Sequence, residues 1–177
     1  FNTLEFLLLF LPLILAVYHL LPGKMRLGFI LLASLFFYGV SGLIPMYFMV
    51  ASVAWGFFTA LLFRRMSTKV ATVISVSGPL AALFLFKYLN FAIETVGGSA
   101  ELYDTFEFFL AVTLPAGISF YTFQILSYSL DVGDDTVPRE RSFVKLATYI
   151  CFFPQLIAGP IVRYGQINKQ LDRVATE

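Results

Sequence analysis

The stretch LGFILLASLFFYGVSGLIPMYFMVASVAWGFFTALLF, residues 27–63, decides the fold class. It runs 37 residues without Asp, Glu, Lys or Arg. As one helix it would measure roughly 55 Å, against a bilayer hydrocarbon core of ~30 Å. The run therefore has to turn, and Gly39, Ser41, Gly42 and Pro45 mark the place. Two helices are expected, near 24–40 and 46–63, with Lys24 and Arg26 snorkelling to the interface at the start of the first.

Charge-free runs flank it on both sides: 6–23 (18 residues), 70–86 (17), 108–130 (23) and 146–162 (17). Each falls near the 17–25 residues that cross a bilayer as a helix. None shows the period-two alternation of a membrane barrel strand. Gly78-Pro79 predicts a kink in the 70–86 run. The expected architecture is all-α: a polytopic transmembrane bundle of about five or six helices, forming a single domain over residues 1–177. Composition agrees, with 59% hydrophobic residues, 21 Phe and only 13% charged residues in a chain of 177. A water-soluble globule or a disordered chain is excluded.

The loops set an orientation. Lys24 and Arg26, then Arg64, Arg65 and Lys69, form loops without acidic residues, whereas 87–107 carries Glu94, Glu101, Asp104 and Glu107 against Lys87. The positive-inside rule puts the basic loops in the cytoplasm and the N-terminus outside a cytoplasmic (inner) membrane. The 131–145 loop returns to the cytoplasm. The first run lacks a charged leader and a cleavage site, so it reads as a retained helix.

The last run does not fit a plain span. Pro154, Gly159 and Pro160 interrupt it, and Arg163, Lys169 and Arg173 follow. Crossing would put those three cations outside, whereas a broken or re-entrant element keeps them inside; either way, residues 152–163 lie beside protein or water rather than lipid.

Residues 108–131 carry the most chemical information. Gly117, Tyr121, Gln124, Tyr128 and Asp131 follow spacings of 4, 3, 4 and 3, one narrow stripe on a helix. Ile118, Phe123, Leu126 and Leu130 are assigned to the opposite face. A polar stripe is costly against lipid, so it faces the bundle interior. It serves either as helix–helix glue or as the lining of a substrate passage. Leu114-Pro115-Ala116-Gly117 opens the stripe as a helix start or a kink.

Elsewhere the chemistry is sparse. Net charge is +1, and no basic stripe points to nucleic acid. The single His (His19) and the single Cys (Cys151) exclude a multi-histidine metal site, a cysteine zinc cluster and an internal disulfide. His19 has no local catalytic partner, and Cys151 reads as a small buried hydrophobe. Lys87 reads as a snorkelling helix-end cation. Asp131, Asp134 and Asp135, near Arg139 and Arg141, read as a solvated, internally balanced loop. No phosphate loop, zinc-protease motif or nucleophile elbow is present.

Two segments resemble a known family. LPAGISFYTFQ (114–124), continuing through Ser127-Tyr128 and Asp131-Val132, and FFPQLIAGPIVR (152–163) are similar to signatures of the membrane-bound O-acyltransferases. Ala33-Ser34, Phe37-Tyr38 and FKYLNF (86–91) agree. The likeness is to the bacterial branch that includes the alginate O-acetyltransferase membrane subunit and the teichoic-acid D-alanyl transferase. One departure is Gly133, where relatives tend to carry an aromatic residue after Asp-Val.

The resemblance implies transfer of an acyl group, of the acetyl kind, from a cytoplasmic thioester donor such as acetyl-CoA to a hydroxyl of a cell-envelope polysaccharide. It implies no bound cofactor, and it implies an extracytoplasmic partner protein. The family's catalytic histidine lies later in the fold, so this chain is expected to be the N-terminal part of a longer protein, inactive without its C-terminal half. No catalytic residue is assigned here. Passage or scaffold roles are assigned to Tyr121, Gln124, Tyr128, Asp131, Gln155, Gly159, Pro160 and Arg163. A transporter or channel, or a non-catalytic scaffold, is the alternative.

Overall fold

The computed structural model describes residues 6–40, 42–95, 100–106, 117–158 and 162–176. Among these there is no strand. The first run forms a short π-helical turn, Phe6–Phe10, and then α1, Leu11–Leu20. The 37-residue run turns where expected: α2 spans Gly23–Val40 and α3 spans Leu43–Thr59, extended by a 3-10 turn to Arg64. Gly42, at φ 140°, makes the corner, and Pro45 sits in the first turn of α3, where its missing N–H costs nothing.

α4, Thr68–Lys87, continues as one helix through Gly78-Pro79. The Trp55 ring lies against Gly78 so closely that a Cβ there would meet it at 2.7 Å. Short helices α5, Leu89–Thr95, and α6, Ala100–Thr105, follow. α7, Ile118–Gly133, starts from Gly117 in the left-handed conformation, φ 72°. Pro115 and the rest of 107–116 lie outside the described residues.

α2, the α3–3-10 unit and α4 are long and apolar enough to cross a membrane, at 18, 22 and 20 residues. Their outward faces are apolar: Phe36 is 67% exposed, Phe58 61% and Val73 64%. That is the surface expected when lipid is the solvent. Several hydroxyls inside the helices return to their own backbone, whereas those of Ser75, Thr122 and Ser129 have no partner among the described residues. Ser34 donates to the Ile30 carbonyl at 2.8 Å, Ser52 to Phe48 at 2.8 Å and Thr59 to Trp55 at 2.7 Å.

α4 and α7 pack against each other in opposite directions. Lys87 Nζ donates to Ser119 Oγ at 3.4 Å at one end, and Gly133 abuts Phe63 and Thr68 at the other. Gly56 of α3 meets Ile125 of α7. Ile118 is a correction to the sequence reading: it is 3% exposed and belongs to the packing face with Ile125 and Val132. At 100° per residue, positions 118, 125 and 132 align with one another, whereas Phe123 and Leu130, both 47% exposed, face outward.

The last apolar run is broken. α8, Phe143–Cys151, has nine residues and reaches only about 13 Å. Ser142 caps it, accepting from the Lys145 amide at 3.3 Å. The chain breaks at Phe152 and resumes as α9, Phe153–Ala158. Two local facts explain the break. The Phe153 amide donates to Ser34 Oγ on α2, at 3.4 Å. Pro154 has no N–H for the Ile150 carbonyl.

α10, Tyr164–Thr176, then packs against α2 with Leu171 buried, while Lys169, Asp172 and Arg173 are exposed. Of the two forms the sequence leaves open, crossing or re-entry, the break and return have the form of re-entry. Lys145 at the start of α8 pairs with Asp172 of α10, so the chain comes back to the end it left. Arg64, Arg65 and Arg139 line one cleft at one end of the bundle, and Lys145 follows Arg139 at the start of α8.

Candidate functional site

α7 turns its stripe inward. Tyr121 and Tyr128 are 0% exposed and Gln124 is 3%. The break after α8 places Gln155 opposite them: Gln124 Nε2 donates to Gln155 Oε1 at 3.2 Å. The two family-like segments therefore meet inside the bundle through the amides of two residues 31 apart in sequence. Gln124 Oε1 and Tyr121 Oη have no hydrogen-bond partner among the described residues. Such groups are costly to bury unsatisfied, and they mark where a polar ligand or a further segment would bond. Tyr38 of α2 and Cys151 belong to the same buried cluster as Tyr121. Cys151, 1% exposed, is a small buried side chain as expected.

Gln155 also borders a cavity of about 200 Å³ walled by α2, α8 and α10, with Ile30, Tyr149, Ile167 and Leu171 in its lining. The cavity is apolar apart from a few amide and hydroxyl groups. Together with the Gln124–Gln155 pair it can hold and orient a small group. Among the described residues it offers no nucleophile paired with a base.

Below this lies a charged knot that sequence reasoning missed. Tyr128 Oη accepts from the Glu140 amide at 2.9 Å. The Glu140 carboxylate accepts from the Arg141 and Ser142 amides at 2.7 and 2.8 Å, and from Tyr164 Oη. Lys145 Nζ lies 3.2 Å from Glu140 and 2.5 Å from Asp172. Tyr164 packs edge-on against Tyr128 and Tyr149, with ring centroids 5.2 and 5.3 Å apart. Tyr149 Oη donates to the Val162 carbonyl at 2.6 Å.

Burial pushes the Glu140 carboxyl upward. The hydrogen bonds from Tyr164, the Ser142 amide and Lys145 outweigh burial and hold its pKa below the usual range. Glu140 is thus docked, while Asp134, Asp135 and Arg141 of the same loop are exposed to solvent. The signal was present in Lys145: a lysine whose helix buries the run that follows it needs an acidic partner.

The remaining assigned residues separate. Asp131 is half-buried, and its carbonyl closes the end of α7, accepting from the Thr136 and Val137 amides at 3.0 and 3.2 Å. Arg163 is exposed, and its amide donates to Gln166 Oε1 at 3.4 Å, so it does not join the glutamine pair. Gly159 and Pro160 lie outside the described residues. His19 is exposed and bonds the Leu15 carbonyl through Nδ1 at 2.8 Å, remote from the buried stripe. Lys87 lies over the Tyr88 ring at 5.5 Å, at a helix end. Among the described residues no group of His, Cys, Asp and Glu is arranged to hold a metal.

The chain is similar to the probable alginate O-acetylase AlgI of Azotobacter vinelandii, 32% identical over 178 residues that cover 97% of this chain and 36% of the relative. It is similar to the protein of the same name from Pseudomonas putida, 32% identical, with 97% and 37% covered. A peptidoglycan O-acetyltransferase of Helicobacter pylori is 27% identical, with 96% and 38% covered. The chain spans about a third of the length of these relatives. No family model matches the sequence. No solved structure matches it.

Proposed function

Because the chain is a homologue of the membrane-bound O-acyltransferases along nearly all of its length, we propose that it forms part of an enzyme that acylates a cell-envelope polymer. The reaction breaks the C–S bond of an acyl thioester, forms a C–O ester on a polymer hydroxyl and releases the thiol. A base takes the hydroxyl proton. The acyl group is acetyl and the acceptor is a polysaccharide, in keeping with the relatives' names. The donor is a cytoplasmic thioester of the acetyl-CoA kind, and no cofactor stays bound.

The protein sits in a cytoplasmic membrane with its basic loops inside and its N-terminus outside. It works with its C-terminal half and with an extracytoplasmic partner, and it does not bind nucleic acid. Tyr121, Gln124, Tyr128 and Gln155 shape the passage, while the base is supplied from outside these residues. The observation that carries this reading is the Gln124–Gln155 bond, which joins the two segments resembling the family and leaves Gln124 Oε1 open.

Deleting the natural gene and measuring ester-linked acetyl on the cell-envelope polysaccharide tests it. Acetyl should be lost and should return with the wild-type gene. Unchanged acetylation overturns the proposal.

A further inference from the structure

Away from the buried glutamines, one cleft collects positive charge and leaves it unneutralised. Arg64 and Arg65, from the α3–α4 connection, and Arg139, from the α7–α8 loop, line a cleft of about 640 Å³ at the basic end of the bundle. Its other walls are Phe58, Leu61 and Leu62, and among the described residues no carboxylate lines it. None of the three guanidiniums is ion-paired among the described residues.

Phe58 is 61% exposed and Leu61 42%, so the apolar wall continues onto the outer surface of a membrane-length helix. The cleft therefore combines guanidinium forks with a greasy floor where the spanning part of α3 ends. Guanidinium groups match phosphate oxygens in charge and geometry. Basic pockets beside membrane helices suit anionic headgroups. A soluble phosphate would use the arginines and leave Phe58 and Leu61 uncovered.

We propose that Arg64, Arg65 and Arg139 bind the headgroup phosphate of an anionic phospholipid, whose acyl chain lies along Phe58 and Leu61. The bound lipid ties the α3–α4 connection to the α7–α8 loop. The proposal needs only the membrane reading and is independent of acyl transfer.

The test is native mass spectrometry of the protein expressed from its complete natural gene. Phosphatidylglycerol and phosphatidylcholine are titrated separately, each with and without inorganic phosphate as competitor. Phosphatidylglycerol should be retained at least about tenfold better. Each arginine should contribute about fivefold, so R64Q/R65Q/R139Q together should cost about a hundredfold. The K24Q/R26Q pair, which does not line the cleft, should retain binding.

Equal retention of the two lipids overturns the proposal, as does retention by the triple variant. So does equal loss in the K24Q/R26Q control, which means a diffuse field, or displacement by millimolar inorganic phosphate, which means a soluble-phosphate site. If the triple variant does not fold, Arg139→Lys and Arg139→Gln decide. Lysine should keep most of the affinity and glutamine should lose about fivefold; equal affinities overturn the site.

Discussion

Gln124 on α7 and Gln155 on α9 share a 3.2 Å amide hydrogen bond with both side chains buried. It ties the inward stripe of a long helix to the tip of the broken segment. It also leaves one acceptor, Gln124 Oε1, without a partner among the described residues.

Gln124→Ala strands Gln155 in an apolar interior. The expected cost is about 1–2 kcal/mol, measured as a lower unfolding midpoint in detergent. The double variant Gln124→Leu/Gln155→Leu should be less destabilised than the sum of the two single changes. Acyl transfer should fall in all of them. Wild-type stability and transfer in Gln124→Ala would refute an interior role for the stripe.

The Trp55–Gly78 approach offers an intrinsic probe, because Trp55 is the single tryptophan in the sequence. Its Nε1 donates to the Ile74 carbonyl at 3.1 Å. Gly78→Ala puts a methyl 2.7 Å from the ring. The indole has to move and lose that bond, at an expected cost of about 1–3 kcal/mol. Fluorescence emission should shift with the loss of stability. An unchanged spectrum and midpoint would show that the ring does not rest there.

The Glu140 knot sets an acid limit. The folded carboxyl has a lowered pKa, so its stabilising contribution is complete above the usual carboxylate range. That contribution is lost as pH falls through the lowered folded value. Unfolding midpoints recorded from pH 7 to pH 3 should decline at the acid end. The decline should be shallower in Glu140→Gln, which starts less stable. Parallel curves for the two proteins would assign the acid sensitivity elsewhere.

Single cysteines introduced in a Cys151→Ser background read the return of the chain. Lys69→Cys, Arg141→Cys and Lys169→Cys should react with an impermeant maleimide from one side of the membrane, and Thr95→Cys from the other. Native Cys151, 1% exposed, should stay unlabelled in the folded protein. Labelling of Lys169→Cys from the opposite side to Arg141→Cys would mean that the last run spans.

Much of the helical framework was legible because lipid imposes a coarse code. The corner at Gly42 and the inward turn of Tyr121, Gln124 and Tyr128 follow from where charge and polarity are forbidden. Ile118 was misassigned because a stripe defines its own face clearly and its flanks poorly. A packing face 100° away looks like a lipid face when the neighbouring helices are unknown. The Glu140–Lys145–Tyr164–Asp172 knot was hidden for a related reason. Its members come from a loop and two helices, and each looks ordinary among its own neighbours in the chain.

By itself the sequence determined an all-helical membrane chain, the basic loops and the broken last run. Burial in lipid depends on local composition, and composition is local in sequence. The tertiary structure decided which broken form the last run takes. It did so through pairings between distant residues: Phe153 with Ser34, Gln124 with Gln155, and Lys145 with Asp172. It also decided that Arg64, Arg65 and Arg139 share one cleft. Directional hydrogen bonds and charge clusters depend on which surfaces meet, and that is settled only when the helices pack.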